Sequence, residues 1–339
     1  MFGTLRVIFA CMVLVCHLTD QYQIGTYAVF GFYIISGYLM THIMHESYGY
    51  NINGRISFFL NRFLRLYPTY WVVIILSVLI IGFVGEDISQ QYNKVMTIPS
   101  DLTQWLSVLT MLYIAIFPNE VAPNLAPATW AISVELFYYF CICIGASKTI
   151  FRVYIWLAVS IAYIAILQAK GLNWPYYYFP VPAASLPFAI GALIYFRKKE
   201  GFAPISEHWI TSPAFLTTLF VAHGMTTLVY PDYFTLGFYV SLFISILLCY
   251  ELAIGREWTL ISKKLDKAIG DYSYPIYLLH WQIGVLVCYM LYGRVFTSPD
   301  IKGYAVSATS LCVCILLSWL LIKFIDKPIQ KLKARKPLI

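Results

Sequence analysis

Charge is what this chain has least of. Only 12% of its 339 residues are charged while 60% are hydrophobic, too little polar side chain to cover a soluble globule of this length. Paired cysteines are missing as well. The eight cysteines stand at 11, 16, 141, 143, 249, 288, 312 and 314, all in apolar stretches and none in Cys-x-x-Cys spacing. That pattern argues against a disulfide framework and a structural zinc site, and leaves the cysteines as small packing residues. There is no repeat of fixed period, no low-complexity linker and no polar block of domain size, so 1–339 reads as one domain. The first apolar run follows a basic residue as a secretory signal does, but no small-residue cleavage site follows Leu18. It is therefore expected to stay as a helix.

What the chain has in abundance is apolar length, with a mean hydropathy of +0.72. Ten runs approach or exceed the roughly 20 residues that cross a bilayer core: 3–20, 25–44, 67–84, 128–146, 151–168, 180–196, 209–227, 234–254, 273–292 and 304–325. The expected fold is an all-α, polytopic membrane protein. An eleventh run, 104–118, is too short for a confident crossing. Charge decides how to treat it. If 104–118 does not cross, 18 basic residues fall on one side (Arg6, the groups at 55–65, 148–152, 197–199 and 256–267, and the tail from Lys327 to Lys336) and only Lys94, Lys170, Arg294 and Lys302 on the other. The positive-inside rule favours that asymmetry, which predicts cytoplasmic termini and a re-entrant or interfacial 104–118. The same topology accounts for the net charge of +7, so a nucleic-acid partner is not called for. Some of the 28 Tyr and 9 Trp supply interfacial belts, as in Trp174 to Tyr178.

Four constellations carry chemistry. Arg6 and His17 lie eleven residues apart in the first run, which on a helix places both on one face, roughly 16 Å apart. Ionisable groups in lipid are costly and call for a functional account, although Arg6 snorkelling to one interface and His17 to the other is the plain alternative. Arg62 and Arg65, three apart before Tyr67-Pro68, share a helix face. Their guanidinium forks suit phosphate oxygens, or else simply anchor the helix to anionic headgroups. Trp130 to Glu135 enters a span from the outer side, and a carboxylate there is a proton acceptor or the partner of a cation. Tyr272 to Trp281 carries Pro275 at the start of a span and His280 inside it. His42 and His45 beside Glu46 have metal-like spacing, but they fall at a helix end and read as solvated, so no metal is expected.

In order, these stretches resemble the integral-membrane acyltransferase-3 family, which O-acylates sugars of bacterial surface polysaccharides. The resemblance runs nearly end to end. It is carried by Leu5-Arg6 through His17, Gly31 to Leu39 with its Ser36-Gly37, Phe58-Phe59 through Arg62-x-x-Arg65 and Tyr67-Pro68, Trp130 to Glu135, and Ser273 to His280. It implies a multi-pass protein of the bacterial cytoplasmic membrane that takes an acyl group, acetyl by family habit, from acetyl-CoA and gives it to a lipid-linked or surface sugar. His17 would be the general base or acyl carrier, with Glu135 and Arg6 as catalytic partners. Arg62, Arg65, Ser36 and Gly37 would serve the donor, the last two as a turn lining its channel. Trp130, Ser133, Tyr274 and His280 would support the substrate. Acyl-CoA, a carbohydrate acceptor and membrane lipid are the implied partners. A proton-coupled transporter or flippase for a lipid-linked saccharide, with Arg6, His17, Glu135 and His280 as its relay, is the alternative in another class.

Overall fold

Backbone surrounded by lipid has to find its hydrogen bonds internally, and the described residues do so with helices alone, without a strand. The computed structural model describes residues 2–113, 115, 122–205, 208–259 and 261–332. Three basic residues of the expected cytoplasmic tail, Lys333, Arg335 and Lys336, lie outside the described residues. So do 114 and 116–121 of the short apolar run and the Pro-rich loop after it. The helices are α1 (Gly3–Leu18), α2 (Tyr22–Ile43), α3 (Ile52–Val84), α4 (Glu86–Tyr92), α5 (Leu102–Thr110), α6 (Thr129–Ile144), α7 (Ile150–Ala169), α8 (Pro175–Tyr178), α9 (Ser185–Lys199), α10 (Pro213–Val229), α11 (Phe234–Ala253), α12 (Lys263–Gly270), α13 (Ser273–Tyr292), α14 (Ile301–Leu321) and α15 (Lys327–Gln330).

Every one of the ten apolar runs contains a helix, but they are not alike. Six helical stretches are long and apolar enough to cross a membrane: Gln23–Tyr48, Ile52–Val84, Ile150–Ala169, Phe234–Ala253, Lys263–Tyr292 and Ile301–Gln330. The other four, α1, α6, α9 and α10, have 16, 16, 15 and 17 residues. At 1.5 Å per residue, 16 residues make about 24 Å, less than a roughly 30 Å hydrocarbon core. Short helices are tolerated where protein rather than lipid surrounds them. α1 packs against α2, α12, α13 and α14, and the most extensive helix pairing in the bundle is between α2 and α9. The outer helices instead show exposed Leu79, Val159, Phe243 and Leu316, an apolar exterior suited to acyl chains.

Two local expectations are revised. The third run was expected to start at 67, yet α3 begins at Ile52 and carries Pro68 in its interior. Pro68 lacks an N–H and removes one backbone bond, but helix on both sides is retained in lipid, and nearby the Tyr274 hydroxyl donates to the Leu66 carbonyl at 2.8 Å. Ser36-Gly37 is no turn, for it lies within the uninterrupted α2. A Cβ on Gly37 would overlap the Phe188 backbone, and one on Gly191 would overlap the Ile34 carbonyl, so these two glycines let α2 and α9 touch backbone to backbone.

The short apolar run 104–118 is described at 104–113 and 115. Its flanks are joined, with Leu125 N donating to Val95 O at 3.1 Å and Asn124 Nδ2 to Thr97 Oγ1 at 3.0 Å. Ile98 N meanwhile bonds Glu86 just past the end of α3. The far end of α5 nevertheless reaches α3 at Tyr67 and Trp71, whose side chains donate to Thr110 O at 2.6 Å and Leu109 O at 3.0 Å, while the Tyr70 hydroxyl bonds Val108 O. From Val84 back to Trp71 is about 20 Å of helix, so the far end of α5 meets α3 about that far from the α3 C-terminus.

Candidate active site

α1, α2, α6 and α13 enclose a narrow crevice of about 40 Å³, lined by Arg6, Tyr33, Glu135, Tyr274 and Tyr277 among apolar neighbours. Space of that size holds about three waters. Glu135 is the best-held group in it. Its Oε1 accepts from Ser36 Oγ at 2.7 Å and its Oε2 from the Tyr139 hydroxyl at 3.1 Å, one helical turn further along α6. Arg6 forms no ion pair within 4.0 Å among the described residues. Its electrostatic neighbours are Glu135, Tyr139, Arg62 and Arg65, and Glu135 feels the charges of Arg6 and Arg62. The Tyr33 hydroxyl, fully buried on the same wall, has no partner.

His17 sits at the other end of α1. Its ring lies parallel to that of His280, with centroids 5.3 Å apart and planes 9° apart, and against Trp281 at 4.7 Å. Tyr92 meets Trp281 edge-on at 5.8 Å and closes the far side. His280 is fully buried and its Nδ1 lies 2.7 Å from the Tyr277 carbonyl. A carbonyl only accepts, so in the neutral ring Nδ1 carries the proton and Nε2 bears a lone pair. That Nε2 is buried without a partner. His17 is half-buried and makes no hydrogen bond to protein among the described residues, leaving both of its ring nitrogens available. Glu135, implied as a catalytic partner of His17, does not touch it. Glu135 is committed to Ser36 and Tyr139 at the depth of Arg6, while His17 lies about 16 Å further along α1. Tyr277, which lines the crevice and touches the His280 ring at 5.9 Å, joins the two levels.

Arg62 and Arg65 share a face of α3 but part company at their tips. Arg65 lies 3.6 Å from both Asp271 and Asp326, and Asp326 also accepts from Thr69 at 2.6 Å. Arg62 turns inward toward Met40 Sδ and the Tyr48 hydroxyl, and its Nε is buried without a partner. Beside it, between α3 and α6, a cavity of about 460 Å³ is walled by Phe59, Phe63, Leu136, Phe137, Tyr139 and Phe140.

Residues 2–323 match the family model described as an acyltransferase domain, acyltransferase 3. The chain belongs to the acyltransferase-3 family. No curated protein and no solved structure matches it. With its apolar helices, it is a multi-pass membrane acyltransferase.

The remaining expected site residues of this acyltransferase are spread over both levels. Ser36 and Tyr274 join the Arg6 crevice, Ser36 through Glu135 and Tyr274 through its ring. Gly37 faces α9 instead, as a packing contact. Ser133 Oγ accepts from Tyr113 N at 2.7 Å and ties the segment just after α5 to α6. Trp130 meets Tyr178 edge-on and Phe179 at a tilt, with centroids at 5.1 and 5.2 Å, and borders a cavity of about 280 Å³ with Val95, Tyr113 and Pro123. His45 Nε2 is 2.9 Å from the Ser147 carbonyl and its ring stacks on Tyr195, whose hydroxyl donates to Glu46 at 2.6 Å. Among the described residues, no three His, Cys, Asp or Glu gather closely enough to hold a metal ion.

Sequence reasoning missed Tyr139, Trp281, Asp271 and Asp326. Tyr139 had a legible signal, because it lies four residues after Glu135 on one helix face. The two aspartates flank Arg65 only because the start of α13 and the end of α14 come together at α3.

Proposed function

We propose that this acyltransferase moves an acyl group, acetyl from acetyl-CoA, from the cytoplasmic side to a hydroxyl of a lipid-linked or surface sugar at the outer side of a bacterial cytoplasmic membrane. The matching topology has ten crossings (α1, α2, α3, α6, α7, α9, α10, α11, α13 and α14), cytoplasmic termini and an α5 that enters and leaves from outside. One observation carries the reading. Polar groups run through an otherwise apolar interior from Arg6 and Glu135, by way of Tyr277, to His280 and His17.

Distance divides the labour along this line. Arg62 takes phosphate oxygens of the donor near the cytoplasmic end, with Arg65 held beside it by Asp271 and Asp326. Arg6 and Glu135 border the path of the pantetheine arm. At about 16 Å from His17 along α1, Arg6 is too far to touch a thioester carbonyl that His17 serves. His17, with no protein hydrogen bond, removes the proton of the acceptor hydroxyl. The hydroxyl oxygen bonds the thioester carbon, the C–S bond breaks, and the imidazolium returns its proton to the CoA thiolate. If His17 carries the acyl group, its ring nitrogen bonds the thioester carbon as the C–S bond breaks and the thiolate leaves; the acceptor oxygen then bonds the acyl carbon as that N–C bond breaks, and the hydroxyl proton passes by the freed imidazole to the thiolate. His280, its tautomer fixed by Tyr277, holds the His17 ring by stacking.

His17→Ala is expected to abolish acyl transfer while expression and membrane insertion stay at wild-type levels. Wild-type amounts of product from that variant would overturn the reading. Mass spectrometry of surface glycans from cells with and without the gene identifies the acceptor through a shift of one acetyl unit.

A further inference from the structure

α12 is a small amphipathic helix whose two faces have different partners. On its inner face, the buried Asp266 accepts from Gly3 N at 3.0 Å and from Thr4 N at 2.9 Å. These are first-turn amides of α1, which have no partner inside their own helix, and a carboxylate there also suits the helix dipole. The contact is locked by shape. A Cβ on Gly3 would overlap the Asp266 carbonyl, and one on Gly270 would press on Gly3 Cα. The residue after α12, Asp271, holds Arg65. One short element therefore fixes both the start of the helix bearing Arg6 and one of the two arginines at the donor end.

The outer face carries Lys263, Lys264, Leu265 and Lys267, all exposed. Lys263 is paired with Glu257 at 2.6 Å, whereas Lys264 and Lys267 have no carboxylate within 4.0 Å among the described residues. Leu265, 49% exposed between them, adds an apolar side chain to a basic surface. An element with free cations, an exposed leucine and helix ends of a membrane bundle behind it complements the anionic headgroups of a leaflet.

We propose that α12 docks on anionic phospholipid and, through Asp266 and Asp271, passes that contact to the start of α1 and to Arg65, so that anionic lipid tightens the donor end of the site. The effect on catalysis rests on the acyl-CoA reading above, but the lipid contact does not. The test uses the full-length protein in vesicles of phosphatidylcholine, with or without phosphatidylglycerol. Phosphatidylglycerol is expected to lower the KM for acetyl-CoA about fivefold and to slow hydrogen exchange at the amides of Gly3 and Thr4. Lys264→Gln with Lys267→Gln should erase both responses and leave kcat in phosphatidylcholine unchanged. Asp266→Asn should weaken the exchange response to phosphatidylglycerol. Equal exchange and equal KM in both lipids would overturn the proposal. So would a double variant with weakened donor binding in phosphatidylcholine alone, which would place the two lysines on the donor's phosphates instead. A lipid-dependent exchange response with no acyl transfer in any vesicle would keep the lipid contact and discard the enzymatic reading.

Discussion

Glu135→Gln tests whether the hydroxyl-bound carboxylate beside Arg6 is part of the working site. The wild-type side chain accepts two bonds, from Ser36 at 2.7 Å and Tyr139 at 3.1 Å. Glutamine keeps an acceptor for Ser36, but its amide N–H can only donate to the Tyr139 oxygen, so the Tyr139 proton has to turn to Ser36 Oγ, 3.5 Å away, and no longer meets a carboxylate. One hydrogen bond to a charged group is then lost, about 1.5–3 kcal/mol, and Arg6 loses the nearest negative charge. If the working geometry depends on that network, kcat/KM for acyl transfer should fall roughly 10- to 150-fold. Tyr139→Phe removes the same bond without removing the charge, so its effect should be smaller. Because the two share one bond, the double variant should be less impaired than the sum of the singles. Activity of Glu135→Gln within about twofold of wild type, or additivity of the two variants within about 0.5 kcal/mol, would refute the reasoning.

Gly37→Ala should destabilise the fold by about 1–3 kcal/mol, because the new Cβ meets the Phe188 backbone rather than a movable side chain; an unchanged thermal melt of the purified protein would contradict this. Asp326→Ala should cost roughly 2–3 kcal/mol by stripping Thr69 and Arg65 of a buried partner, and Asp326→Asn less, because its carbonyl oxygen can still accept from Thr69; equal melts for the two variants would show that charge alone matters there. Asp300, capping α14 outside the membrane-spanning helices, has its carboxyl held below the usual range by the Gly303 amide first, then by the Ser298 hydroxyl and Lys302. A depressed native value means that the cap is intact above the ordinary aspartate range and is lost as pH falls through the native value. Protection from hydrogen exchange at Lys302 and Gly303, relative to a free amide at the same pH, should therefore fall at acid pH in wild type and show no such step in Asp300→Ala.

Much of the fold was legible because lipid imposes a local rule. Each apolar run has to satisfy its own backbone, so each becomes a helix wherever it ends up, and α13 falls at the expected 273–292. Boundaries failed where a local signal was ambiguous. The third apolar run was expected to start at 67, yet α3 runs through Pro68 from Ile52, and Ser36-Gly37 reads as a turn although the glycine is spent on a helix crossing. Within the site, the sequence placed Arg6 and His17 on one helix at two depths. It could not say which of them Glu135 would meet.

The order of chemistry along the chain, a cation near the start of α1 and an imidazole three turns on, was determined by sequence alone, because helical rise fixes that separation without reference to anything else. The partners were decided only by tertiary structure. Ser36 reaches Glu135 from 99 positions away, His280 reaches His17 across α1 and α13, and Asp266 finds Gly3 at a separation of 263. Such contacts depend on crossing angles and on where a glycine lets two backbones close. Those are set jointly by many side chains, and no single stretch of sequence encodes them.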